Sequence, residues 1–194
     1  MANKHVDMLK TFYKVMKKDE YYTSLVIPEM YSKSVYEIDY EKLKELDKKN
    51  LLFDIDNTIL PVDDINVGEE LIDLFKRLKK DGFNIIIVSN NNKERVIPPA
   101  EILNVKYLYD AKKPTKESFD KALDILKSNI DNTVMIGDQM LSDIKGAKKY
   151  GLYTVLVDPL TNKYNLQTKV SRILQDKMEK KLTKEKKFTR GKYY

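Results

Sequence analysis

The sequence predicts an α/β fold: a parallel sheet with helices on both faces. Three observations carry that prediction. Short apolar runs rich in β-branched residues alternate with stretches of helical spacing throughout residues 51–158. Glycines stand just past helical stretches, at Gly82 and Gly151. Three of the apolar runs lead directly into polar residues: Asp54/Asp56, Ser89/Asn90 and Gly137/Asp138. In an open parallel sheet, ligands sit outside the carboxyl ends of the strands. The architecture therefore gathers these three groups into one crevice.

The elements follow in order. The first 20 residues are polar and lysine-rich with scattered apolar positions (Met8, Leu9, Phe12, Val15, Met16), and they read as a short amphipathic helix or a mobile stretch. Leu25-Val26-Ile27-Pro28 and Val35-Tyr36-Glu37-Ile38 read as extended packing segments, and residues 40–49 as a short helix. Leu51–Asp56 is a strand ending in acid. Residues 68–81 place Leu71, Leu74, Phe75 and Leu78 on one helical face. Phe83–Val88 is a buried strand cut by Ser89-Asn90-Asn91-Asn92. Residues 93–103 read as a helix broken by Pro98-Pro99. A short strand spans 105–109. Thr115 caps a helix over 116–128, with Phe119, Ala122, Leu123 and Leu126 on one face. A strand at 133–136, a helix at 143–150 and a strand at 153–157 complete the pattern. These readings divide the chain into an N-terminal extension (1–24), a catalytic-type domain (25–162) and a basic, helical C-terminal tail (163–194).

Composition removes several chemistries. The 194 residues contain no cysteine, which excludes thiolate catalysis, zinc–sulfur sites and a disulfide framework. The single histidine, His5, lies in a polar stretch with nothing of a packed site around it. Carboxylates, lysines and hydroxyls must carry the chemistry. No apolar run is long enough to span a bilayer and no signal-peptide core is present, so a cytoplasmic protein is expected, with peripheral contact at the inner face of the membrane left open. Residues 163–194 hold eleven Lys or Arg and three Asp or Glu. The net charge of +6 thus resides in the tail.

The spacing Asp54-x-Asp56-x-Thr58 has a chemical logic. Alternate residues of a still-extended chain lean the same way. Asp54 can attack phosphorus and form an aspartyl-phosphate, splitting hydrolysis into two steps. Asp56 can protonate the leaving oxygen and then activate water. The Thr58 hydroxyl can hydrogen-bond near the loop that holds the phosphate. Carboxylates facing a phosphate repel it, and Mg²⁺, which takes oxygen ligands, resolves the repulsion. Asp138 and Asp143 supply further acid at another strand end. Ser89 and Asn90 can donate to phosphate oxygens, and Lys113 can offset developing negative charge. Each signal alone is also ordinary loop chemistry; their order and spacing give them weight.

Those motifs carry a resemblance. DIDNT at 54–58, SN at 89–90, KP at 113–114 and GDQMLSD at 137–143 resemble the four motifs of the haloacid-dehalogenase (HAD) superfamily. More narrowly, FDIDNTIL, VSNNNKERV, AKKP and GDQMLSDI resemble the YqeG-type phosphatases of subclass IIIA, a group related to phosphatidylglycerophosphate phosphatases. The resemblance covers roughly residues 25–175. It implies a Rossmannoid three-layer sandwich. It also implies Asp54 as nucleophile and metal ligand, and Asp56 as general acid/base with its backbone carbonyl on the metal. Ser89 and Lys113 would hold the phosphoryl group. Asp138 would be a Mg²⁺ ligand, with Asp143 binding directly or through water. Pro98-Pro99 departs from the unbroken helix expected of the family.

Thirty residues separate Thr58 from Ser89 and 22 separate Asn90 from Lys113. Helix and strand consume both intervals, so no large cap domain is expected and the site should stay open. An open site suits phosphates on large or surface-bound substrates: a phospholipid headgroup, a phosphoprotein or a nucleic-acid end. Residues 168–187, with Val170, Ile173, Leu174, Met178 and Leu182 among lysines, read as an amphipathic basic helix. Its apolar face could pack on the domain, or the helix could lie on an anionic membrane or contact RNA. Only Phe188, Tyr193 and Tyr194 offer aromatic rings there, which is thin support for base stacking.

Overall fold

A computed structural model describes residues 2–164 and 166–194, with side chains described for 6–164 and 169–194. His5 lies outside the described side chains. Six strands form one sheet: β1 (Met30–Ser32), β2 (Asn50–Phe53), β3 (Asn84–Val88), β4 (Lys106–Leu108), β5 (Thr133–Gly137) and β6 (Tyr153–Val157). Their order is β1-β6-β5-β2-β3-β4, and every pairing is parallel. β2 is therefore central, with β5 on one side and β3 on the other. Its carboxyl end delivers Asp54.

Strand alternation divides the apolar residues between two faces. Leu51, Phe53, Ile85, Ile87, Val134 and Ile136 pack in one cluster with residues of α3 (Tyr40–Glu45), α4 (Glu69–Lys80) and α5 (Lys93–Ile102). Leu52, Ile86 and Met135 face the other way, onto α6 (Lys116–Leu126) and α7 (Lys145–Tyr150). The result is the three-layer α/β/α sandwich expected, with no large cap. A third cluster extends the second layer toward β1. It joins Val15 of α1 (Ala2–Met16), Val26 of α2 (Glu20–Val26), Tyr31, Leu156, and Met178 and Leu182 of α8 (Leu166–Lys184). No helix among the described residues is long and apolar enough to cross a membrane.

Three local expectations change. Leu25 and Val26 close helix α2, which Asp19 caps by accepting from the Tyr22 N–H, and Val35–Glu37 is a single 3₁₀ turn. The extended segment lies between them, as β1. Runs of three or four apolar residues do not distinguish a helix end from a strand. The first stretch takes the helical of its two expected forms, over Ala2–Met16. Helix α5 runs through Pro98 and Pro99 without a break. Asn92 caps it by accepting from the Arg95 N–H, and Val96, Pro99 and Ala100 are buried. That packing overrides the loss of two backbone donors.

The C-terminal segment is built into this body. Met178, Leu182 and Phe188 are buried. Beyond α8 the chain returns to the sheet edge, where Tyr31 and Tyr194 exchange two backbone hydrogen bonds of 2.8 and 2.9 Å. Leu182→Ala should cost about 2–5 kcal/mol in denaturant unfolding. An unchanged midpoint would mean that α8 does not pack this way in solution.

Candidate active site

Asp54 leaves the carboxyl end of β2, where its N–H donates to the Ile136 carbonyl of β5 at 2.9 Å. Its carboxylate is held on both oxygens. The Lys113 ammonium lies 2.6 Å from Oδ1, and the Thr58 hydroxyl donates to Oδ2 at 3.3 Å. Lys113 is itself 1% exposed. Burial pushes its pKa down, but the facing carboxylates of Asp143 and Asp54 push harder the other way, so the net shift is upward and the ammonium stays charged.

Asp138 follows β5, and Asp143 sits in the π-helical turn Met140–Ile144. Both are buried. One carboxylate oxygen from each of Asp54, Asp138 and Asp143 lies within 4.8 Å of the others. Asp143 Oδ2 accepts from the Gln139 N–H at 3.1 Å. Lys113 Nζ pairs with Asp143 Oδ1 at 2.9 Å, the one partner of that oxygen among the described residues. Asp138 Oδ1 lacks a partner among them. Gly137 makes the close approach possible, because a Cβ there would stand 2.5 Å from the Asp143 carboxyl carbon.

A buried carboxylate oxygen without a partner, as Asp138 Oδ1 is, is costly unless a cation meets it, and Asp143 Oδ1 meets only the Lys113 ammonium. The donors are all hard oxygens, which matches a divalent ion such as Mg²⁺. The residues present thus fit a metal ion, held by Asp54, Asp138 and Asp143. Burial, with Asp54 adding to it and Lys113 opposing, raises the pKa of Asp143 to about 6.

Asp56 occupies a different setting. Asn91 donates to its Oδ2 at 2.5 Å and Arg95 Nε to its Oδ1 at 2.9 Å. The Arg95 guanidinium also binds the carbonyls of Asp64 and Pro61, at 2.5 and 2.6 Å. Burial first, and then the Asp54 charge, raise the Asp56 pKa against the pull of Asn91 and Arg95. Ser89 is buried, and its Oγ accepts from the Asn91 N–H at 3.2 Å. Its own hydroxyl hydrogen is not used by that bond.

The Asn90 side chain also has a structural task. Its Oδ1 accepts from the Lys113 N–H at 2.6 Å, and its Nδ2 donates to the Lys113 carbonyl at 3.1 Å. The amide thus clamps the Lys113 backbone and sets where the ammonium enters. The site brings together Asp54, Thr58, Lys113, Asp138 and Asp143, with Asp56 and Ser89 on the adjoining loops.

Sequence reasoning missed Asn91, Arg95 and Arg172. Arg172 comes from α8. Its guanidinium pairs with Asp138 Oδ2 and donates to the Asp138 carbonyl at 3.0 Å. The one available signal is scarcity: Arg95 and Arg172 are two of only four arginines among 36 cations. Arginine's planar fork suits fixed carboxylate pairs better than lysine.

Two outcomes follow for the metal-free protein. The folded pKa of Asp143 exceeds its ordinary value of 3.8, so the folded state holds that proton more tightly than the unfolded one. The stability it adds is full below the ordinary value and is lost as pH rises through about 6. A divalent ion competes with the same proton. Mg²⁺ or Mn²⁺ should therefore raise Tm more above about pH 6 than below it, read by thermal melts. Equal stabilisation on both sides would remove Asp143 from the ligand set. Gly137→Ala should displace Asp143, cost about 1–3 kcal/mol and abolish the metal-dependent rise in Tm.

A family model described as HAD-hydrolase-like matches residues 111–170. The chain is 35% identical over 146 residues to a protein of Bacillus subtilis named "Probable phosphatase YqeG", spanning 75% of this chain and 85% of that one. Solved structures resemble it at lower identity. One is an uncharacterized protein from Listeria monocytogenes (17% identity, TM-score 0.49, 60% of this chain and 84% of that one). Another is a 2-haloacid dehalogenase from Pseudomonas syringae (15% identity, TM-score 0.43, 60% and 89%). With the relative from Bacillus aligned across most of both chains, this chain belongs to the HAD-like hydrolases, in the YqeG group.

Proposed function

We propose that the protein is a Mg²⁺-dependent phosphatase that hydrolyses a phosphomonoester through an aspartyl-phosphate on Asp54. One observation carries the reading. Asp54 is fixed between Lys113 and Thr58 at the carboxyl end of the central strand, clustered with the buried Asp138 and Asp143, of which Asp138 keeps an oxygen without a partner. The name of the relative from Bacillus supports the same class of reaction.

The steps use residues of this chain. An Asp54 carboxylate oxygen attacks phosphorus and the bond to the leaving oxygen breaks. Asp56, in its protonated form, gives that oxygen its proton. Burial and the Asp54 charge raise the Asp56 pKa, which favours the protonated form this step uses. Asp56, now a carboxylate, takes a proton from water as the water attacks the phosphorus of the aspartyl-phosphate. Inorganic phosphate leaves and Asp54 is restored. Arg95 and Asn91 orient the Asp56 carboxyl through both steps. Lys113 and the Ser89 hydroxyl hold the phosphoryl oxygens. A bound divalent ion supplies charge neutralisation between the phosphate and the three aspartates.

The absence of a large cap supports a substrate whose bulk remains outside the site. With the resemblance to the YqeG-type group, this favours phosphatidylglycerophosphate, hydrolysed to phosphatidylglycerol. Nucleic-acid ends, phosphoproteins and small esters are the competing substrates. RNA or ribosome binding with a vestigial site is the competing role, and the intact set of acidic residues argues against it.

Purified protein should release phosphate only with Mg²⁺ or a similar ion, and Asp54→Asn should lower turnover by about a thousandfold or more. Normal turnover in that variant would sink the mechanism. On a panel of phosphate esters, phosphatidylglycerophosphate should exceed the soluble ones in kcat/KM. Equal rates on all would reject the lipid assignment and keep the phosphatase.

A further inference from the structure

Helix α1 presents an apolar stripe to solvent. Val6, Leu9, Tyr13 and Met16 are 63, 52, 58 and 40% exposed. At 3.6 residues per turn they fall within about 80° of one another. The opposite face holds Thr11 and Val15, both fully buried. The stripe is thus a second apolar face, distinct from the one that packs on the protein. Tyr21 of α2, 59% exposed, adds a further ring nearby in the chain. A soluble helix does not need two apolar faces.

Charge completes the pattern. Lys10 and Lys17 are exposed, and each follows a residue of the stripe directly. Lys17 lies over the Tyr13 ring at 5.8 Å. The acidic residues nearby are each paired: Asp7 with Lys145, Asp19 with Lys14, and Glu20 with Lys187. The local field is therefore positive. Aliphatic side chains bordered by lysine ammoniums and tyrosines form the surface of a helix lying in a membrane interface.

Two contacts tie this surface to the active site. Asp7 pairs with Lys145, two residues after Asp143. Helix α1 packs on α8, whose Arg172 grips Asp138. On α8 itself, Val170 and Ile173 are exposed, 49 and 56%. The 138–143 segment thus lies against α8, and α1 lies against α8 and, through Asp7, the helix that follows that segment.

We propose that α1, through Val6, Leu9, Tyr13 and Met16 flanked by Lys10 and Lys17, docks the protein on an anionic lipid bilayer with the active site beside the membrane. The inference deepens the reading of a phospholipid phosphatase and rests on it only for the purpose of docking. RNA would not reward Val6, Leu9 and Met16, which cannot stack on bases. A second copy of the chain would set lysines against lysines.

The test is co-sedimentation of the full chain with vesicles of phosphatidylglycerol and phosphatidylcholine, and with phosphatidylcholine alone. The wild type should bind the anionic vesicles, more weakly as salt rises, and leave the neutral ones. Leu9→Glu with Tyr13→Glu should cut that binding about tenfold or more. Lys10→Gln with Lys17→Gln should weaken it by a smaller factor. All these positions are exposed, so melting curves and Mg²⁺-dependent turnover of a soluble phosphate ester should stay as in the wild type. Vesicle binding that survives the Leu9/Tyr13 change overturns the proposal. So does salt-sensitive binding to RNA without vesicle binding, or a dimer in sedimentation that the same change dissolves. Vesicle binding needs no turnover, so docking by α1 without lipid hydrolysis would reject the substrate and leave the surface standing.

Discussion

Three aspartates buried at the end of one sheet set the terms for the rest of the structure. Their oxygens lie within 4.8 Å of one another, and like charges so placed repel strongly where water is excluded. Positive charge must be delivered into the same small volume. Lys113 brings one unit between Asp54 and Asp143, and Arg172 brings another against Asp138. Against three carboxylates these leave a net of one negative charge when all are ionised. A divalent ion then turns the cluster positive, which is the sign a phosphate requires. Several features outside the cluster serve this balance. Asn90 fixes the backbone of Lys113, and Gly137 leaves room for the Asp143 carboxyl.

Helix α8 belongs to that balance. Its buried side is polar at one end and apolar at the other: Arg172 and Gln175 face the site, while Met178 and Leu182 enter the third core cluster. Gln175 Oε1 accepts from the Met140 N–H at 3.0 Å, next to the turn that carries Asp143. Its amide donates to Glu179 at 2.9 Å, and Arg190 pairs with both Glu179 and Asp158. Asp158 accepts from the Tyr31 hydroxyl at 2.5 Å. A continuous run of polar contacts thus links the sheet edge to the 138–143 segment. The net charge of residues 163–194 rests on its nine lysines, while both of its arginines are committed to carboxylates.

The parts legible in the sequence share a grammar. Each motif residue at a strand end follows a run of buried β-branched or large apolar residues, and a parallel sheet aligns those ends by construction. Asp54, Ser89 and Asp138 could therefore be placed in one crevice without knowing any contact. Arg95 and Arg172 obey no such rule. Each reaches the site from a helix, across 39 and 34 residues of chain, by a side chain whose direction depends on packing. Asn90 was placed correctly in the chain, but its amide turns to Lys113, a choice that depends on where the 110–114 loop lies. The prolines of α5 misled for a related reason. A local rule about missing donors met a short helix with a capped start and a buried side, and the packing prevailed.

The lack of a large cap among the described residues bears on specificity. A cap encloses a substrate and reads its shape, and the described residues form no large one. In the proposed mechanism the groups nearest phosphorus are the same for any phosphomonoester, because Asp54, Lys113 and Ser89 address only the phosphoryl group and its charge. Selectivity must then come from what brings one phosphate to the site more often than another. Raising the local concentration of a substrate at a surface achieves that without a single new contact to it. The proposed docking by α1 has this character: the bilayer would take over the role that a cap plays elsewhere. Such selectivity favours any phosphomonoester that resides in the bilayer.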